Sequence, residues 1–106
     1  MASKARIKGN KNRRKSIEYL ESLGWTVGIV ERTGRFVTPK DLFSLFDLCC
    51  VRYNTVLFVQ ISTNQNHPHK PYKEFRSKYF SQDNEKFQII QLTWIDHEKK
   101  PRIFTY

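Results

Sequence analysis

Asp47, Gln60 and Ser62 carry polar chemistry into a stretch whose other residues read as buried sheet. Leu45 to Arg52 is expected to be one strand and Thr55 to Ser62 the next, with Tyr53-Asn54 as a two-residue turn. Asparagine tolerates the positive φ that such turns require. With that turn, Asp47 lies directly opposite Gln60. Side chains alternate between faces with period two, so Asp47, Gln60 and Ser62 share a face with Cys49, Val51, Val56 and Phe58. The other face carries Phe46, Leu48, Cys50, Leu57, Val59 and Ile61. Both faces are apolar and both need a cover. An ionised carboxylate there is costly unless it is paired, solvated or bound to a cation. A carboxylate facing an amide at the end of a covered hairpin is therefore a candidate site.

Other residue types could extend it. Asp41 lies six positions before Asp47 and could be a second carboxylate or a loop-capping residue. His67-Pro68-His69 could seed a metal site, since imidazole suits Zn²⁺ or Ni²⁺. It could equally be solvated, or touch a nucleic acid. Cys49 and Cys50 are adjacent, so on a strand they point to opposite faces and do not bridge. They read as buried, reduced core residues, and no C-x-x-C spacing is present.

Charge supplies the second signal. The formal net charge is +9 and the sequence pI is near 9.8, a balance that calls for a polyanionic partner, most often nucleic acid. Lys8, Lys11, Arg13, Arg14 and Lys15 form one group, Lys70, Lys73, Arg76 and Lys78 another, and Lys40 lies in a loop between them. The first group opens a helix whose acids, Glu18 and Glu21, come later, the reverse of what the helix dipole prefers. Local stability does not explain that order, whereas phosphate binding does. No basic amphipathic helix, lipidation signal, membrane span or signal peptide is evident, so a cytoplasmic or nucleoid-associated protein is expected.

The elements that must hold these groups follow from periodicity. Residues 1–10 are expected to be a basic flexible arm and 11–106 a single domain. A helix is expected from about Asn12 to Leu23, burying Ile17, Leu20 and Leu23 and stopping at Gly24. Trp25 to Arg32 reads as a strand and residues 33–44 as a loop. After the hairpin comes a polar loop from Thr63, then a helix over 71–80 with Tyr72, Phe75, Tyr79 and Phe80 at helical spacing. Lys73, Arg76 and Lys78 are expected on or beside its exposed surface. Lys86 to Ile95 and Arg102 to Tyr106 complete a helix-β-β-β-helix-β-β order, an α/β fold with a mixed sheet flanked by helices.

That order, with Asp47 on the second strand and Gln60-Ile61-Ser62 on the third, resembles the PD-(D/E)xK nuclease superfamily. The likeness is greatest to its archaeal Holliday-junction-resolvase branch and small bacterial and phage relatives. Ser16 to Trp25 is similar to the resolvase first helix and its exit into strand one. Phe46-Asp47-Leu48 is similar to the motif with the metal-binding aspartate, and Phe58 to Ser62 to the strand with E-x-K. The resemblance implies a homodimer that binds duplex or branched DNA, or RNA, and cleaves phosphodiesters with Mg²⁺ or Mn²⁺. Asp47, Gln60 and Asp41 would be the metal ligands, and Asp47, Gln60 and Ser62 the catalytic set. Gln60 and Ser62 depart from the family's glutamate and lysine, and Arg13 stands where resolvases carry a glutamate; Lys40 or Lys70 could replace the missing lysine. An uncharged amide holds Mg²⁺ less tightly than a carboxylate. The alternatives are a catalytically inactive DNA-binding module of the same fold, or a structural partner of a larger acidic protein.

Overall fold

The structure is a computed structural model that describes residues 4–30, 42–43 and 45–106. Its elements are α1 (Lys4–Ser22), β1 (Thr26–Ile29), β2 (Leu48–Arg52), β3 (Thr55–Thr63), α2 (Lys70–Tyr79), β4 (Phe87–Trp94) and β5 (Arg102–Thr105). The expected element order is present, as an α/β fold with a five-stranded mixed sheet in the order β1-β2-β3-β4-β5.

β2 and β3 form the expected hairpin. Arg52 pairs with Thr55, and Asn54 takes the left-handed conformation at φ 58°. Pairing is antiparallel from β1 to β3, parallel between β3 and β4, and antiparallel again to β5. A parallel pair requires a crossover, and α2 supplies it. In the parallel register Gln60 faces Gln91 and Ser62 faces Thr93. The expected loop with Gly34, Pro39, Lys40 and Asp41, and the last residues expected in strand one, lie outside the described residues.

α1 covers one sheet face, where Leu20, Trp25, Leu48, Cys50, Leu57, Val59, Ile90 and Leu92 are buried together. The other face carries Phe46, Phe58, Tyr72 and Ile89, closed by Phe75, Phe80 and Tyr106. Both faces are thus covered. Phe46 is on the second face, not on the Leu48 face that strict alternation gives. β2 begins only at Leu48, and the chain before it turns tightly, with Leu42 bridged to Phe46. Period two therefore does not extend back through Asp47.

α1 begins at Lys4, so the helix starts well before Asn12, and residues 4–10, expected as an arm, are helical. Lysine and arginine are good helix formers, and the lone Gly9 does not break the run. The buried stripe also differs. Leu23 is 48% exposed, while Asn12 and Ser16 are buried in line with Leu20. Asn12 donates to Thr63 Oγ1 at 2.7 Å, and Trp94 Nε1 donates to Ser16 Oγ at 2.7 Å. Polar partners on the sheet make a polar stripe buriable. The helix ends as Gly24 predicts. Gly24, at φ 93°, donates to Glu21 O and Trp25 N donates to Leu20 O, a Schellman motif sealed by Leu20 and Trp25 in the core.

Both cysteines are free; Cys49 is half-buried and Cys50 fully buried, on opposite faces. Burial, and then the neighbouring Cys49, push the Cys50 thiol up to about 12. The neutral thiol is favoured in the fold, so its contribution to stability is full below the ordinary value of 9.0 and is lost as pH rises toward 12. In a Cys49→Ser variant, Cys50 should resist alkylation at about pH 8 until denaturant unfolds the chain. Rapid labelling of the folded variant would contradict this packing.

Candidate functional site

The polar residues of the hairpin meet others at the carboxyl ends of the parallel strands β3 and β4. Asp47 stands one residue before β2 and still pairs, its N–H donating to Val59 O at 2.8 Å. Its carboxylate Oδ2 accepts the Ile61 N–H at 2.8 Å, so Asp47 lies beside Gln60 as expected and caps the next residue's amide. A short acceptor here satisfies a strand amide just where the β2–β3 ladder ends. Gln60 Nε2 donates to Ile61 O at 2.9 Å and lies 3.4 Å from His67 Nε2.

Ser62 points instead to Gln91, a residue that the sequence reading did not single out. Ser62 Oγ donates to Gln91 Oε1 at 2.5 Å, and the same oxygen accepts His67 N–H at 2.5 Å. Gln91 Nε2 donates to His67 O at 3.3 Å and to Tyr106 Oη at 2.8 Å. Gln91 is fully buried, and its amide makes every hydrogen bond it has capacity for. Tyr106 Oη also meets His69 Nδ1 at 2.6 Å, which fastens the end of the polar loop to the segment after β5. Burial pushes the Tyr106 hydroxyl up in pKa, against the lowering effect of the Gln91 hydrogen bond.

The donor set does not fit Mg²⁺ as it is arranged. Asp47 brings the single carboxylate of the described cluster, and one of its oxygens accepts a backbone amide. Ile61 O faces the Gln60 NH₂ group, and Ser62 is an uncharged donor to Gln91. Among the described residues no group of three or more His, Cys, Asp or Glu is placed to hold an ion. Asp41, the expected additional carboxylate, and Lys40 lie outside the described residues. His67 and His69 turn to different partners, Gln60 and Tyr106.

The cationic residues divide. Lys8, Lys11 and Lys15 form one row along α1 and, with Asn12, face Trp94 to His97 across an open cleft of about 320 Å³. The spacings of three and four residues put them on one helical face. Lys8 Nζ pairs with Asp96 at 2.8 Å, and that contact, with Asn64 next, holds the Asp96 carboxyl below its ordinary range. Lys15 Nζ stands 4.4 Å from the Trp94 ring centroid. Among the described residues neither Lys11 nor Lys15 has a carboxylate within ion-pair distance. Arg13 and Arg14 line a separate depression with Glu18 and Glu21. On α2, Lys73 is exposed and Lys70 lies 3.8 Å from Glu74.

Arg76 is not the surface cation expected from its spacing. It is 4% exposed, and its guanidinium donates to the carbonyls of Phe87, Ser81, Gln82 and Asn84. It closes the turn between α2 and β4, because a fork of donors suits a loop that presents several carbonyls inward. Its Nε and the Thr93 Oγ1 are buried with no hydrogen-bond partner.

Gln91, Asn12 and Ser16 were the residues missed. Gln91 was the readable one, as a polar interruption in the apolar run from Phe87 to Trp94. No protein-family model matches the chain and no curated protein matches it.

Gln91→Leu keeps the volume but strands the His67 amide and the Ser62 hydroxyl, and leaves the Tyr106 hydroxyl with His69 and the His67 carbonyl with Asn66. The expected cost is roughly 2–4 kcal/mol in urea unfolding. Hydrogen exchange should accelerate at the His67 amide before it does so in the strands. Unchanged stability and exchange would show that the amide does not hold the loop.

Proposed function

We propose that the protein is a nucleic-acid-binding module with a PD-(D/E)xK-like core, in which the strand-end cluster is a scaffold and the cationic row of α1 is the contact surface. The observation that carries this reading is the row Lys8, Lys11 and Lys15 above the cleft, with Lys11 and Lys15 uncompensated by described carboxylates. α1 begins at Lys4, so these cations lie beyond its first turn, and the helix dipole neither favours nor opposes them. Like charges spaced along one face repel one another and are relieved by a row of phosphates. Contacts of this kind give affinity and salt dependence without reading sequence. Recognition of shape in duplex or branched DNA, or in RNA, follows. The resemblance also implies a homodimer, which sedimentation of the free protein measures.

A second reading, metal-dependent phosphodiester cleavage, is favoured by one observation: the Asp47 carboxylate, the Ile61 carbonyl and the Gln60 amide lie together. It requires the Gln60 amide to turn its oxygen toward an ion and further charge to join Asp47.

Labelled duplex and four-way-junction DNA test both readings. Wild-type binding should weaken steeply with salt, and Lys11→Ala/Lys15→Ala should lower the slope of log affinity against log salt by about 2. Asp47→Asn should leave binding unchanged. With Mg²⁺ or Mn²⁺ present, the substrates should stay intact. Cutting that disappears in Asp47→Asn would instead establish the enzyme. Absence of salt-sensitive binding would replace both readings with that of a partner for an acidic protein.

A further inference from the structure

On the sheet face opposite α1, two exposed aromatic rings converge on a third. Phe43 is 61% exposed and Tyr79 is 57% exposed. The Phe43 and Phe75 centroids are 5.4 Å apart, and those of Phe75 and Tyr79 are 4.8 Å apart. Phe75 is itself fixed from below, edge-on to Phe46 at 5.2 Å and to Phe58 at 6.2 Å. The core therefore supports a rigid base whose upper rings face solvent. Phe43 sits in a tight turn closed by Leu45 and Phe46 N–H donation to Leu42 O, and its backbone is left-handed at φ 55°. A bulky side chain rarely takes that conformation. Hydrophobic burial does not account for it, because the ring it carries is exposed.

The surround is cationic. Lys78 Nζ lies 5.3 Å from the Tyr79 ring centroid, while Lys73, also exposed, lies on the flank of the helix away from Phe75. The acid between them, Glu74, is turned to Lys70. Among the described residues Lys73 and Lys78 have no ion-pair partner. An apolar protein ligand would cover the rings but gain nothing from the lysines. A strand of unpaired nucleotides offers a flat π-face to each ring and a phosphate to Lys78.

We propose that Phe43, Phe75 and Tyr79 form a stacking platform for the bases of single-stranded nucleic acid, with Lys78 holding a phosphate beside Tyr79. The inference rests on the nucleic-acid reading above but uses a separate surface. α1 and its lysine row cover the face built on Leu48 and Val59, whereas the platform stands on Phe46 and Phe58. A protein with both surfaces would engage a junction or gapped substrate, duplex on one side and unpaired strand on the other.

Anisotropy of labelled oligothymidylate and oligouridylate, beside labelled duplex, tests it. Phe43→Ala and Tyr79→Ala should each weaken single-strand binding roughly tenfold, with duplex binding unchanged. Tyr79→Phe should bind as the wild type does, and Tyr79→Leu, which keeps apolar contact with Phe75, should bind as weakly as Tyr79→Ala. These two variants keep the test readable if the alanine variant unfolds. Oligothymidylate and oligouridylate bound alike would mark a platform indifferent to the sugar, and preference for one would name the ligand. The platform is overturned if the alanine variants or Tyr79→Leu match the wild type, or if the wild type binds duplex but no single strand. Loss of all binding in the wild type would instead overturn the nucleic-acid reading itself.

Discussion

The buried amide of Gln91 is the contact on which this end of the molecule depends. A fully buried carboxamide is destabilising unless all its donors and acceptors are met. Gln91 meets them with Ser62 on the neighbouring strand, both backbone groups of His67, and the Tyr106 hydroxyl. One side chain thereby fixes three pieces of chain: the end of β3, the loop that leaves it, and the segment after β5. Parallel pairing of β3 with β4 is what brings Gln91 level with Gln60 and close to Ser62. The polar cluster is a consequence of register and not of sequence proximity.

The other sheet face uses the same physics to place α1. Asn12 reaches Thr63 and Ser16 receives the Trp94 indole, so two polar positions in the buried stripe fix the helix along its axis. An apolar stripe alone would let the helix slide by fractions of a turn with little penalty, because dispersion contacts are non-directional. With the register fixed, Lys8, Lys11 and Lys15 necessarily fall beside Trp94 to His97. The cationic row and the strand-end cluster are thus held at one end of the sheet, by hydrogen bonds on its two faces.

Much of this was readable beforehand. The hairpin register followed from Tyr53-Asn54, and it put Asp47 beside Gln60. The α2 crossover and the cover over both faces followed from two apolar strand faces and the spacing of Tyr72 and Phe75. Part of what was not readable is a polar residue whose partner comes from another element or turn, and part is where an apolar run stops being regular structure. Arg76 looks like a surface cation until the turn after α2 presents carbonyls to it. Asn12 and Ser16 look like solvent positions until Thr63 and Trp94 arrive from the sheet. Leu23 looks like core, yet it lies in the helix-ending turn and is half exposed. Phe46 changed face because the strand is shorter than its apolar run.

The same contacts shape the functional account. The groups that could gather an ion are engaged in backbone capping and loop fixation, whereas Lys11 and Lys15 of α1 have no described carboxylate within ion-pair distance. The most direct measurement is an amide-resolved NMR titration of the whole protein, first with Mg²⁺ and then with a short duplex. The account predicts no Mg²⁺-induced shift at Asp47, Gln60 or Ile61, and salt-sensitive duplex shifts concentrated at Lys8 to Lys15 and Ile95 to His97. Saturable Mg²⁺ shifts centred on Asp47 and Ile61, with the α1 amides unmoved by duplex, would contradict it.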